Sequence, residues 1–304
     1  MNARTRIACL ITLCAIAATH PPRARADLFA NLPPVADTTL FETAPDNNLG
    51  ATDRLIVGTT AGGYKNRSLF KFDLSALPAT ATITSAAFTF TIMKSGAGSG
   101  SDTFTIYRVL RNWGEGAGAG PQGAPANAGE ATWTNRFHPD TPWNTPGGAA
   151  GLDFSSGVSG SVAVTGAASY TIGSTPDLVA DVQRWVGNPG TNFGWILISG
   201  AEASAATARR IPSRENLFEP QPVLALQYTI PAAPTLFNLA LIGNLLRFSF
   251  NAESNRPYAV EYRDALTNGN WSVLTNIPAL PAAATLHITN VTSGTQRFFR
   301  ARTP

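Results

Sequence analysis

The 304 residues leave room for about two domains, and only 13% of them are charged, while Gly (27) and Pro (22) are abundant. That balance suits short strands joined by turns and argues against a helical bundle. Four of the 22 basic residues (Arg4, Arg6, Arg23, Arg25) and none of the 19 acids precede Asp27. The rest therefore carries 18 basic against 19 acidic side chains, and nothing in that balance favours a nucleic-acid partner.

Residues 1–26 read as a secretory signal peptide. Arg4 and Arg6 precede an apolar run, "IACLITLCAIAA", and Ala24-Arg25-Ala26 is a small-residue cleavage pattern. The run is too short to span a bilayer, and no other stretch could do so. A lipoprotein leader fits less well, because Leu13 rather than a small residue precedes Cys14. The expectation is a secreted protein, extracellular or at the cell surface. Cys9 and Cys14 leave with the leader, so no disulfide, thiol nucleophile or thiolate metal site is expected.

Residues 27–229 read as one all-β domain. Strands are predicted at 54–57, 68–74, 85–92, 104–110, 194–199 and 223–229, each bounded by Gly, Pro, Asn or Asp. In "RSLFKFDLSALP" (67–78), Phe70, Phe72 and Leu74 alternate onto one face, and Arg67, Leu69, Lys71 and Asp73 onto the other. One helix is predicted in "TPDLVADVQRWVGNP". Thr175 would cap it, Pro176 and Asp177 suit its first turn, Leu178, Val182, Trp185 and Val186 share a face, and Gly187 and Pro189 stop it. This helix should cover an open end of the sandwich, with Asp181 on its polar side. "SGAGSGSD" (95–102) reads as a loop between hairpin strands, and the Gly-rich run 114–133 as a long, partly mobile loop. Neither is a strand–GxGxxG–helix unit.

Residues 230–304 read as a second, smaller β domain after the linker-like "TIPAAPTL". Its strands are predicted at 235–241, 245–250, 258–263, 271–274, 285–289 and 297–302, with a hairpin turn at Asn268-Gly269-Asn270.

Several stretches, in order, resemble the DNRLRE-domain family. They are "ADTTL" with "DNNLGATDRLIVG" (36–58), "RSLFKFDLSALPATATITSAAF" (67–88), "VLRNWGEG" with "ATWTN", "DLVADVQRWV" with "NFGWILI", and "PSREN" with "PQPVLALQY". The resemblance covers about residues 36–228. It implies an exported, jelly-roll-like antiparallel β-sandwich, related to an alginate-binding carbohydrate-binding module family often attached to polysaccharide lyases. The Gly-rich insertion is long for that family, and "ARRIPSREN" departs from its usual aromatic-plus-Ser-Arg-Glu pattern. "YAVEYRDAL", the following Trp and "RFFRA" make the tail similar to fibronectin- or immunoglobulin-like C-terminal modules of exported proteins.

The chemistry on offer is sparse. His138 and His287 are the histidines beyond the leader, they lie in different domains, and no GxSxG accompanies them. A glycosidase-type pair would have to come from Asp37, Asp46, Asp53, Glu115, Glu130 and Asp181, which also read as solvated or turn-capping acids. "APDNNLGATD" offers Asp46, Asn48 and Asp53 to a structural calcium ion, and an Asx-turn explains it equally well. The better binding argument rests on cations. Arg67 and Lys71 share a strand face about 13 Å apart. Together with Arg54, and with Arg209, Arg210 and Arg214 of a later segment if they converge, they suit the carboxylates of an acidic polysaccharide. Tyr64 and Trp133 would stack on sugar faces, Trp133 and Trp143 lying in loop-rich sequence. Trp113, Trp185 and Trp195 read as core. The blander reading is a polar outer face with Arg214 and Glu215 paired to each other.

The sequence thus reads as a secreted, non-catalytic polysaccharide-binding protein. The alternatives are a structural or adhesive surface protein without sugar binding, and a polysaccharide hydrolase or lyase.

Overall fold

The structure is a computed structural model that describes residues 27–265, 267, 269–291 and 296–303. The predicted leader and Asn268 of the predicted hairpin turn lie outside the described residues. The chain separates into two compact units, Ala26–Ile230 and one containing Pro231–Pro304. Both are built from strands, and the described residues include one α-helix.

The longer strands of the first unit are β1 (Asp27–Leu32), β2 (Pro34–Phe41), β3 (Arg54–Thr59), β4 (Lys65–Phe72), β5 (Thr82–Thr91), β6 (Asp102–Arg108), β7 (Gly160–Val164) and β8 (Ser169–Ile172). Helix α1 (Pro176–Gly187) follows, then β9 (Trp195–Ser199), β10 (Arg209–Pro212) and β11 (Val223–Thr229). A small antiparallel sheet runs β1-β11-β5-β8. A larger one runs β7-β6-β9-β4-β3-β10, with β2 pairing along β4.

Between the sheets lies an apolar layer made by alternation. Phe70 and Phe72 of β4, Phe104 and Ile106 of β6 and Trp195 of β9 meet Phe88 and Phe90 of β5 and Leu224 of β11. Phe70 and Phe88 pack edge to face at 5.1 Å, an arrangement favoured by the aromatic quadrupole. Helix α1 starts as its sequence dictates. The Thr175 side chain accepts a hydrogen bond from the Leu178 N–H, Pro176 occupies the first turn, and Leu178, Val182, Trp185 and Val186 join the same core.

Three expectations are corrected here. Asp181 is not on a polar helix face. It is buried and accepts from Ser159 Oγ (2.6 Å) and Trp195 Nε1 (3.0 Å), while Arg108 pairs with it at 2.8 Å. The 95–102 segment does not close a hairpin, because β5 and β6 belong to different sheets and the chain crosses between them. Ser95, its first residue, pairs instead with Arg209, and Lys94 just before it with Arg210. The third correction concerns the outward face of the large sheet. Leu40, Leu69 and Ile196 point away from the main core, yet they are buried in a second apolar cluster with Val109, Trp113, Trp133, Trp143 and Phe154. The Gly-rich run and its continuation cover that face. Each large apolar side chain so removed from water contributes about 2–3 kcal/mol, which gives this segment reason to be packed.

The C-terminal unit has strands β12 (Phe237–Ile242), β13 (Leu245–Ala252), β14 (Tyr258–Arg263), β15 (Ser272–Ile277), β16 (Ala284–Val291) and β17 (Phe298–Arg302). They form two three-stranded sheets, β12-β13-β16 and β15-β14-β17. Phe248, Phe250, Val260, Leu286 and Ile288 fill the space between them.

Candidate functional site

Arg67 leaves β4 on the outward face, as alternation requires, and is captured there. Its Nε and Nη2 each donate to the Glu202 carboxylate at 2.8 Å, and its Nη1 to the Gly147 and Gly148 carbonyls at 2.9 and 3.1 Å. The guanidinium carbon stands 5.8 Å from the Trp133 ring centroid. The side chain is 14% exposed, so this is a bidentate, largely desolvated pair and the strong form of the interaction. Arg67 fastens the covering segment to the sheet.

Trp133 and Trp143 are 6% and 4% exposed, which corrects the expectation of exposed sugar platforms. Gly147 lies against the Trp133 ring. Its φ is +81°, and a Cβ there would come within 2.5 Å of the indole, so glycine is required for the close approach. The Trp143 indole N–H donates to the Thr132 carbonyl at 3.0 Å.

The other predicted cations are more open. Lys71 is half-buried, and its side chain has no hydrogen-bond or ion-pair partner among the described residues. Arg54 pairs with Asp53 at 2.8 Å and retains 24% side-chain exposure. The β3–β10 register sets Arg54 opposite Pro212, two residues before Arg214. Arg214, 39% exposed, pairs with both Glu115 (2.6 Å) and Glu215 (2.9 Å). Pairing with Glu215 was expected from sequence; Glu115, brought in by the Gly-rich segment, was not. Tyr64 is 47% exposed at the β3–β4 turn. Arg209 is a core residue with no exposure and pairs with Asp102 at 3.1 Å.

Beneath Arg214 sits Asp37. The Arg214 N–H donates to its Oδ2 at 2.8 Å, and the Asp37 N–H donates to Glu115 Oε1 at 2.8 Å. Its Oδ1 is buried without a partner among the described residues. Burial, aided by the neighbouring Glu215 and Glu115, pushes the Asp37 carboxyl well above its ordinary range. Burial likewise raises Glu215. The hydrogen bond to Glu115 raises Arg214, which keeps its charge.

Each of the predicted calcium ligands is engaged by the protein itself. Asn48 uses both ends of its amide on the backbone, donating to Glu115 O (2.5 Å) and Ala131 O (2.9 Å) and accepting from Gly50 N (2.9 Å) and Gly118 N (2.8 Å). Asp46 accepts from Thr134 Oγ1 (2.8 Å), and Asp53 holds Arg54. Among the described residues, no three His, Cys, Asp or Glu side chains are grouped to hold a metal. Asn48 is a brace for the Gly-rich segment, donating to two of its carbonyls and accepting from its Gly118 N–H.

Glu202 is the functional-looking residue that sequence reasoning missed. It lies 135 positions from Arg67 in a Gly/Ala-rich stretch, and no local spacing rule links the two.

These features lie within or beside a stretch with a known likeness. Residues 29–143 match the model of carbohydrate-binding module family 96. The match takes in Arg54, Tyr64, Arg67, Lys71 and Trp133, and ends before Arg214 and the C-terminal unit. It supports a carbohydrate-binding role for a fold that is an all-β sandwich. No curated protein matches the chain. No helix among the described residues is long and apolar enough to cross a membrane.

Proposed function

We propose that the chain is an exported polysaccharide-binding protein that acts without catalysis and takes an acidic, uronate-type glycan at its first unit. The match of residues 29–143 to carbohydrate-binding module family 96 carries this reading. Arg54 and Lys71 are the contacts for carboxylates, with Arg214 beside them and Tyr64 as the exposed aromatic. Arg67 and Trp133 act indirectly by holding the covering segment in place. Three of the carboxylates a glycosidase pair would draw on are engaged by arginine: Glu115 with Arg214, Asp181 with Arg108 and Asp53 with Arg54.

The test is binding of the chain lacking its leader to alginate, polygalacturonate and a neutral glucan, at about 20 mM and about 0.5 M salt. The reading expects binding to the uronate polymers that weakens at high salt, with no shortening of the polymer. Folded protein that binds none of the three would leave the structural or adhesive role; shortened polymer would establish an enzyme.

A further inference from the structure

The outer face of the β15-β14-β17 sheet in the C-terminal unit carries chemistry that the first unit's site does not account for. Tyr258 and Val260 of β14 and Ala301 of β17 turn into the core. Glu261 and Arg263, with Arg300 and Arg302, therefore occupy the other face. The register sets Glu261 opposite Arg300 and Ala259 opposite Arg302. Glu261 is 3% exposed and accepts from the Nε of both Arg300 and Arg302 at 2.8 Å. Burial pushes its carboxyl up, but the hydrogen bonds from Arg302 and Arg300 outweigh it and keep the group below the usual range. It stays charged and orients both guanidiniums.

Trp271 joins them. The guanidinium carbon of Arg300 stands 4.2 Å from its ring centroid and that of Arg263 4.5 Å. Arg263 Nε is buried with no hydrogen-bond partner among the described residues. The face thus gathers three guanidiniums against one carboxylate. The Arg300 and Arg302 side chains remain 44% exposed. The wider charge distribution agrees: residues 231–304 hold six arginines against three acids, whereas residues 27–230 hold 12 basic against 16 acidic side chains.

We propose that this face is a second binding site, for an anionic polysaccharide chain, separate from the first unit's site. Glu261 takes the Nε edge of Arg300 and Arg302 and leaves outward N–H groups able to meet a carboxylate or sulfate in the planar geometry that arginine favours. Arg300 and Arg302 are two residues apart on one strand, about 7 Å, which suits successive charges on an extended chain. Trp271 packs against the Arg263 and Arg300 guanidiniums and holds their planes in place, so its indole reports on what the arginines meet. Duplex nucleic acid carries a charge about every 1.7 Å and calls for a longer run of cations than a face of net charge +2. A second foothold on the same polymer would raise avidity without strengthening either contact.

The test uses the whole chain without its leader, following the indole N–H resonances by NMR and assigning Trp271 with Trp271→Phe. Polygalacturonate at about 20 mM salt should shift the Trp271 resonance, and about 0.5 M salt should reverse the shift. Arg300→Gln/Arg302→Gln should weaken the Trp271 response about tenfold while the chain still binds polygalacturonate through its first unit. Arg263→Gln, which leaves the Glu261 pairs intact, should weaken it by a smaller factor. Arg54→Gln/Lys71→Gln should leave the Trp271 response in place, so failure at the first unit and failure here read differently. A Trp271 resonance unmoved by polygalacturonate would overturn the proposal. So would an equal response to neutral dextran, or tighter binding to duplex DNA.

Discussion

Two sheet faces of this molecule carry the same set of residue types and meet opposite fates. On the first unit, Arg67, Trp133 and Glu202 gather over the outward face of the large sheet, and the segment bearing Trp133 and Gly147 closes over them. On the C-terminal unit, Arg300, Trp271 and Glu261 gather on a sheet face where Arg300 and Arg302 stay open to solvent. Arginine on a strand is thus no sign of a binding site by itself. What matters is the share of its N–H groups already satisfied by protein: Arg67 donates to a bidentate carboxylate and two carbonyls, whereas Arg302 donates to Glu261 through its Nε.

The contrast can be broken most forcefully at Arg67. Arg67→Ala strands Glu202 and two carbonyls in a largely desolvated place, so urea unfolding should show a loss of about 3–5 kcal/mol. A loss below about 1 kcal/mol would put Arg67 among the ordinary surface ion pairs. Gly147→Ala attacks the same closure through the backbone, by positive φ and by the approach to Trp133. It should cost about 2–3 kcal/mol, with Trp133 fluorescence shifting toward that of an exposed indole.

Asp37 gives a pH test of the same region. Its folded-state pKa is raised mainly by burial, so the folded chain holds this proton more tightly than the unfolded chain. The contribution is fully present below the unfolded value of about 3.9 and is lost as pH rises through the raised folded value. Asp37→Asn should flatten that part of the stability-against-pH profile and leave wild type the less stable of the two at neutral pH. A wild-type profile that rises through this window and is unchanged by the substitution would contradict the assignment. The smallest effect is expected on the open face. Arg302→Gln should change stability by less than about 1 kcal/mol, since Arg300 still holds Glu261; a loss as large as that of Arg67→Ala would erase the contrast.

Much of the fold was legible because it is local. Alternation placed Phe70 and Phe72 in the core, and Thr175, Pro176 and the apolar spacing marked α1. The strands of the C-terminal unit followed from the same period-two pattern. Strand β10 was hidden because "RRIP" reads as charged surface, although Arg209 is wholly buried against Asp102. The candidate site was legible in its parts and not in its arrangement. Asn48 and Trp133 sit in Gly-rich, turn-rich sequence, which composition reads as mobile loop. Burial of four tryptophan- and phenylalanine-bearing segments on one sheet face, and braces such as Asn48 to Gly118, depend on contacts about 70 to 135 residues apart. No periodicity encodes such pairs.

Acidic-glycan binding is proposed to run through the open cations of the first unit, with Arg67 as a strut. The sharpest check is the alginate affinity of Arg54→Gln/Lys71→Gln, measured at low salt beside its melting temperature. An affinity at least about tenfold weaker with a melting temperature within about 2 °C of wild type is expected. Unchanged affinity in this folded variant would overturn the proposal.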